Sequence, residues 1–131
     1  MSTAAQIFIS HTQEDRRFAE ELSRALSVKG FDAFGPYGWE IGKPIDDQLR
    51  ETLGSAGICV VLLSDKTLLS PWVFFELGAA IGGRKRLVLV YLSDRAWRDA
   101  PSSLRRAASI HATTLRPEEV ADRVVEAAKA A

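Results

Sequence analysis

The segment Ile58–Leu63, with the sequence ICVVLL, constrains the fold of this chain more than any other stretch. It is apolar throughout and rich in branched residues, and the polar pair Ser64 and Asp65 ends it. A strand with one face in water alternates apolar and polar residues, whereas a strand covered on both faces does not. The segment therefore predicts an inner strand of a parallel sheet. Its Cys59 is the chain's single cysteine, so we expect a buried thiol and no intramolecular disulfide.

Strand and helix patterns alternate on both sides of this segment. Further strands are predicted at residues 6–9, 31–34, 87–92 and 110–113, and helices at residues 12–30, 45–56, 70–83 and from Pro117 onward. Residues 93–108 are polar, and we interpret them as irregular with a short helix near 102–107. The alternation predicts an α/β, flavodoxin-like three-layer sandwich. Its five-stranded parallel sheet has the order 2-1-3-4-5, with helices on both faces.

Length and composition exclude several classes of protein. The 131 residues predict a single domain with its core at about 6–128. Lysine plus arginine and aspartate plus glutamate each total 17, so no positive excess favours nucleic acid as a partner. No signal peptide and no apolar run of about 20 residues is present, which predicts no membrane association and a cytoplasmic location. No His/Cys spacing indicates a metal site.

The predicted topology locates the functional site. In open parallel sheets, ligands bind outside the carboxyl ends of the strands, where the strand order reverses. The groups expected there are Ser10, His11, Ser64, the glycine- and proline-rich loop at residues 35–44 and the start of the helix at 70–83. At ten residues, that loop is long for a strand-to-helix connection.

The predicted helix at residues 70–83 carries an unusual pair of side chains. Ser70 and Pro71 favour a helix start, and glycines end the segment. Within it, Trp72 and Glu76 are four residues apart, so both project from one face. A carboxylate beside a large aromatic ring suits a ribose and a stacked base. The competing interpretation is a half-buried tryptophan beside a solvated glutamate.

Other functions of this topology fit less well. A phosphoacceptor receiver requires acidic residues after the first strand, where this chain has Ser10, His11 and Thr12. No Walker A loop is present, and Gly78 and Gly82 lie in or at the end of a predicted helix, unlike the glycines of a dinucleotide fingerprint.

Two stretches together resemble a known family. FISHTQEDRRFAEELSRALSVKGFDAF and, after the loop, ICVVLLSDKTLLSPWVFFELGAA are similar to Toll/interleukin-1 receptor (TIR) domains of the bacterial type. The resemblance extends over nearly the whole chain. It implies the flavodoxin-like fold and one of two activities: cleavage of the nicotinamide–ribose bond of NAD+, or TIR-to-TIR assembly as an adaptor.

The resemblance also implies roles for individual residues. Catalytic members carry a glutamate on the third helix, preceded by a tryptophan four residues earlier, and these positions match Glu76 and Trp72. Ser10 and His11 would then line the nicotinamide–ribose end of the substrate. Trp39 and Lys43 belong to the loop at 35–44, which resembles the family's assembly loop and would reach over the site, also from an adjacent subunit.

Our hypothesis from the sequence is an NAD+ glycohydrolase or ADP-ribosyl cyclase in bacterial antiphage immunity. NAD+ is then the substrate, with no cofactor and no metal, and the chain associates with itself or with other TIR domains through residues 35–44. One alternative is a non-catalytic TIR adaptor or mimic of host signalling. A second is an enzyme resembling nucleoside 2-deoxyribosyltransferases. Hydrolysis and cyclisation stay open, because they differ only in the nucleophile that reaches the anomeric carbon.

Overall fold

A single parallel sheet organises the computed structural model, which describes residues 6–33, 57–65, 86–100 and 108–129. Its strands are β1 (Gln6–Ser10), β2 (Asp32–Ala33), β3 (Ile58–Leu63), β4 (Arg86–Tyr91) and β5 (Ala108–His111). All neighbouring pairs are parallel, in the order β2-β1-β3-β4-β5. The predicted flavodoxin-like strand order is therefore confirmed, with β3 as the middle strand.

The helices of the described residues are α1 (Arg16–Val28), α2 (Asp94–Asp99) and α3 (Pro117–Lys129), with a 3-10 turn at Gln13–Asp15 leading into α1. Helix α3 begins at Pro117 as predicted. The helices predicted at 45–56, 70–83 and near 102–107 lie outside the described residues.

Helix α2 corrects the interpretation of residues 93–108 as irregular. Its start is fixed by Ser93, whose hydroxyl accepts a hydrogen bond from the backbone N–H of Ala96 at 3.0 Å. Asp94 adds a favourable charge in the first turn. Six residues are too few to display an apolar stripe, so this helix depends on its cap and gives no periodic signal.

Side chains on both faces of the sheet are buried. On one face, Ile9 and Val60 pack with Leu22 of α1 and Val124 of α3 in one apolar cluster. The alternate side chains project from the opposite face and are also buried: Phe8, Cys59, Val61, Leu63, Leu89 and Tyr91. All six residues of Ile58–Leu63 are buried, which confirms the expectation of a strand covered on both faces, and Cys59 is a buried thiol as predicted.

Two polar contacts fasten the amino-terminal side of the sheet to the helices. The guanidinium of Arg86, the first residue of β4, donates to the carbonyl oxygens of Ala128 and Ala127 at 2.8 and 2.5 Å. It thereby supplies donors to the unpaired carbonyls at the end of α3. Lys29 and Asp122 form an ion pair between the end of α1 and α3.

The end of α1 depends on Gly30, as the sequence predicts. Gly30 has a φ of 91°, its N–H donates to the carbonyl of Ser27, and the N–H of Phe31 donates to the carbonyl of Leu26. This pair of bonds is a Schellman motif, which needs a left-handed residue after the helix.

Replacement of Gly30 by alanine should lower the free energy of unfolding by about 1–2 kcal/mol, because an L residue is strained at positive φ. An added Cβ would meet nothing within 4 Å, so the backbone alone causes the loss. Gly57→Ala is the matched control: it has equal space and no left-handed φ, so its midpoint in urea should not fall. Equal losses in both variants would contradict this explanation.

Candidate active site

The strand order reverses between β1 and β3, so their carboxyl ends form the expected crevice. Ser10, the last residue of β1, lies in register with Val61 of β3. Ser10 is 4% exposed and His11 is fully buried. The structure therefore places both predicted site residues at the reversal point. Because both side chains are shielded from water, a hydrogen bond that either makes there is stronger than it is in water.

Asp15 joins the two strand ends at this point. Its Oδ2 atom accepts a hydrogen bond from the hydroxyl of Thr12 at 2.9 Å and another from the hydroxyl of Ser64 at 2.8 Å. Thr12 follows β1 and Ser64 follows β3, so this one oxygen atom is bonded to both sides of the crevice. The sequence places Ser64 correctly at this edge but assigns Thr12 and Asp15 only to the start of α1. Neither side chain makes a capping bond to the helix backbone.

Further side-chain hydrogen bonds continue along the same edge toward β5. The hydroxyl of Ser93, after β4, donates to Oδ1 of Asp65, after β3, at 2.6 Å. The hydroxyl of Thr113, after β5, donates to Oδ1 of Asp94 at 3.4 Å. We call these bonds, together with those of Asp15, the carboxyl-edge network. The network links the ends of β1, β3, β4 and β5 in sequence, and its longest bond, at 3.4 Å, lies at the β5 end.

A groove of about 520 Å³ lies on the α1 and α3 side of this edge. Its walls come from the first turns of α1 and from the segments after β4 and β5. They are formed by Glu14, Asp15, Arg17, Phe18, Glu21, Leu92, Ala112, Thr113, Leu115, Arg116 and Pro117. Acidic and basic groups both line it, and Arg17 is paired with Glu21 and Arg116 with Glu119. Asp15 is thus shared between the groove and the crevice.

An aromatic cluster lies on the opposite face at the β5 edge. The ring of Trp97 from α2 contacts Tyr91 edge-on at 5.0 Å between centroids and His111 at 4.3 Å. His111 is exposed on the outermost strand, whereas Tyr91 is fully buried. The cluster fixes α2 against β4 and β5 through edge-to-face contacts. The sequence offers no local signal for it, since its members come from three elements.

The other predicted site residues, Trp39, Lys43, Trp72 and Glu76, lie outside the described residues, so their roles stay predictions. Within the four described ranges, no group of three or more His, Cys, Asp or Glu side chains is arranged to hold a metal ion. None of the helices in those ranges has the length and apolar character that a membrane crossing requires. At the crevice itself, the described chain supplies hydroxyl groups, an imidazole and the Asp15 carboxylate.

The strand order defines a flavodoxin-like domain whose crevice lies at the strand-order reversal. The sequence model described as "TIR domain" matches residues 7–126, which is most of the chain. The chain therefore belongs to the TIR domain family. No curated protein matches the chain at a significant level.

Solved TIR domains have the same fold. The TIR domain heterodimer of RPS4 and RRS1 matches with a TM-score of 0.67 at 23% identity, covering 93% of this chain and 97% of that chain. A Toll-related receptor TIR domain from Hydra magnipapillata gives 0.67 at 12% identity, covering 93% and 97%. The TIR domains of the Roq1 resistosome give 0.63 at 18% identity, covering 94% and 98%.

Proposed function

We propose that this chain is a TIR domain of the bacterial type that cleaves the nicotinamide–ribose bond of NAD+. The products are nicotinamide and either ADP-ribose or a cyclic isomer of it. The observation that carries the proposal is the pair of Trp72 and Glu76 at the spacing of the catalytic TIR domains, in a chain that the family model matches from residue 7 to 126.

The reaction suits a site with one carboxylate and no general acid. When the C–N bond breaks, its electron pair goes to the pyridinium nitrogen, so nicotinamide leaves as a neutral molecule. The ribose becomes oxocarbenium-like, and Glu76 would hold its hydroxyls and offset its positive charge. Trp72 would stack on an aromatic ring of the substrate. In hydrolysis, water adds at the anomeric carbon and one proton is released; in cyclisation, a group of the same nucleotide adds there.

The described crevice supports this assignment through Ser10 and His11, which we place at the nicotinamide–ribose end. Both are held at the strand-order reversal, where this class of sheet binds its ligands. Trp39 and Lys43 would come from the loop at 35–44 and reach over the substrate. The resemblance implies that this loop would complete a neighbour's site, so self-association and catalysis would rise together. The proposed setting is the bacterial cytoplasm, in signalling against phage.

The direct test is incubation of the purified domain with NAD+ over a range of protein concentrations, with products separated by chromatography. We expect nicotinamide to appear in equal amount to the NAD+ lost, with activity per molecule rising as concentration rises. The second product peak then identifies hydrolysis or cyclisation. Intact NAD+ at the highest concentration, with the domain folded and assembled, would overturn the proposal.

A TIR adaptor without catalysis is the second candidate function. It is favoured by two structural relatives that are described as assemblies, the RPS4 and RRS1 heterodimer and the Roq1 resistosome. An adaptor would bind another TIR domain with defined stoichiometry. That binding would survive Glu76→Gln and would be lost when Trp39 is changed, whereas NAD+ would stay intact throughout.

A further inference from the structure

We propose that Asp15 is a positioning residue that sets the width and rigidity of the crevice between β1 and β3. This inference rests on the proposed function for its catalytic consequence, whereas its structural part stands on the hydrogen bonds alone. Asp15 is not among the residues for which the resemblance to TIR domains implies a role.

Two hydrogen bonds converge on a single oxygen atom of Asp15, one from each strand end. We call this arrangement of Thr12, Asp15 and Ser64 the clamp. Oδ2 of Asp15 accepts from Thr12 at 2.9 Å and from Ser64 at 2.8 Å, both well-formed hydrogen bonds of hydroxyl groups. Thr12 is two residues beyond Ser10, and Ser64 directly follows the last residue of β3. The backbone pairing between these strands ends at Ser10 and Val61. Beyond that point, the two hydrogen bonds of Asp15 join the strand ends through side chains.

The rest of the α1 start leaves this carboxylate available for the clamp. Asp15 stands at the N-cap position of α1, yet its side chain makes no bond to the helix backbone. The N–H of Asp15 donates to the carbonyl of Thr12 at 3.1 Å, which holds the turn closed and aims the carboxylate toward Ser64. Because the 3-10 turn at Gln13–Asp15 is short, movement of the carboxylate would move residues 10–12 with it.

An oxygen acceptor, more than a negative charge, is what the clamp requires. Both partners are neutral hydroxyl donors, and a carbonyl oxygen has two lone pairs with which to accept both. Asparagine offers such an oxygen at the same place, whereas alanine offers none. The pair of variants Asp15→Asn and Asp15→Ala therefore separates geometry from charge.

The consequence for catalysis follows from the position of Ser10 and His11. If the clamp is lost, the wall that carries them shifts relative to β3, and a misplacement of about 1 Å can cost about a hundredfold in rate. Weaker contact with the substrate raises KM, whereas a partly unfolded sample lowers kcat and leaves KM unchanged. A rise in KM thus distinguishes positioning from loss of folded protein.

The first arm of the test is hydrogen–deuterium exchange, which needs no NAD+ turnover. In Asp15→Ala, we expect faster amide exchange confined to residues 10–12 and 63–65. In Asp15→Asn, the exchange rates at these residues should stay close to those of the original protein. Thr12→Val and Thr113→Val are a matched pair, since each removes one hydroxyl donor to an aspartate of the network. Only Thr12→Val should change exchange at the crevice. Unchanged exchange in Asp15→Ala would overturn the clamp.

The second arm is NAD+ turnover. Asp15→Ala should lower kcat/KM by about tenfold to a hundredfold with a raised KM, and Asp15→Asn should stay within about threefold. If Asp15→Asn lowers kcat/KM as much as Asp15→Ala does, the negative charge of Asp15 is the important property and the clamp is wrong. If Asp15→Ala changes amide exchange but leaves NAD+ turnover unchanged, the proposed catalytic consequence of the clamp is wrong. Absence of turnover in the original protein defeats the proposed function instead, and the exchange arm still decides the clamp.

Discussion

Glu76→Gln is expected to reduce NAD+ consumption by about a thousandfold or more. The amide keeps the size of the side chain and one acceptor oxygen, but it removes the negative charge that would offset the oxocarbenium-like ribose. Binding of NAD+ should change little, because the charge is needed chiefly in the transition state. The loss should therefore lie in kcat, measured as nicotinamide released under saturating NAD+.

Glu126→Gln is the matched control for this variant, because Glu126 is exposed on α3. It should consume NAD+ at the rate of the original protein. Thermal unfolding of both variants should show the same cooperative transition. A loss of activity in Glu76→Gln then does not result from a loss of folded protein. Equal turnover in Glu76→Gln and the original protein would defeat the assignment of Glu76 and favour another catalytic group.

Val60→Ala is expected to lower the free energy of unfolding by about 2–4 kcal/mol, through lost apolar burial and the cavity left behind. Val60 is fully buried in the middle strand, between Ile9 of β1 and Val88 of β4. Its side chain belongs to the cluster that α1 and α3 cover. At roughly 3–4 °C per kcal/mol for a domain of this size, Tm should fall by about 10 °C.

Val28→Ala removes the same atoms from the surface. Val28 is 88% exposed at the end of α1, so its loss should change stability by no more than about 0.5 kcal/mol. Alanine is also the better helix former. Urea unfolding of the two variants side by side measures how much the buried side chain of Val60 contributes to the free energy of unfolding. Similar midpoints for both would contradict the role of Ile58–Leu63 as the centre of the core.

Local sequence patterns predicted the strands to within a few residues. Ile58–Leu63 has the bounds predicted for it, because an uninterrupted apolar run begins and ends abruptly. The fourth strand is observed at Arg86–Tyr91, one residue before its prediction, and β5 at Ala108–His111, two residues before. The apolar pattern leaves out Arg86 of β4 and both Ala108 and Ser109 of β5, since sheet pairing depends on the backbone and tolerates polar or small side chains.

The site was predictable only in part, for a physical reason. Topology placed Ser10, His11 and Ser64 at one edge, because carboxyl ends of parallel strands share that edge. The bond from Ser64 to Asp15 joins residues 49 apart in the chain. No local pattern encodes such a contact, and Asp15 fits a helix start equally well. The network therefore emerged only from the three-dimensional arrangement.

The most direct test of the account is to determine where NAD+ binds on the domain. Backbone amide shifts of the domain carrying Glu76→Gln, which should bind NAD+ without consuming it, can be followed by NMR as NAD+ is added. We predict the largest changes, within the described residues, at 10–12 and 64–65, with none near Asp122 at the far side of the sheet. Changes centred on the groove at Leu115 and Arg116, with residues 10–12 unaffected, would contradict a nucleotide site at the strand-order reversal.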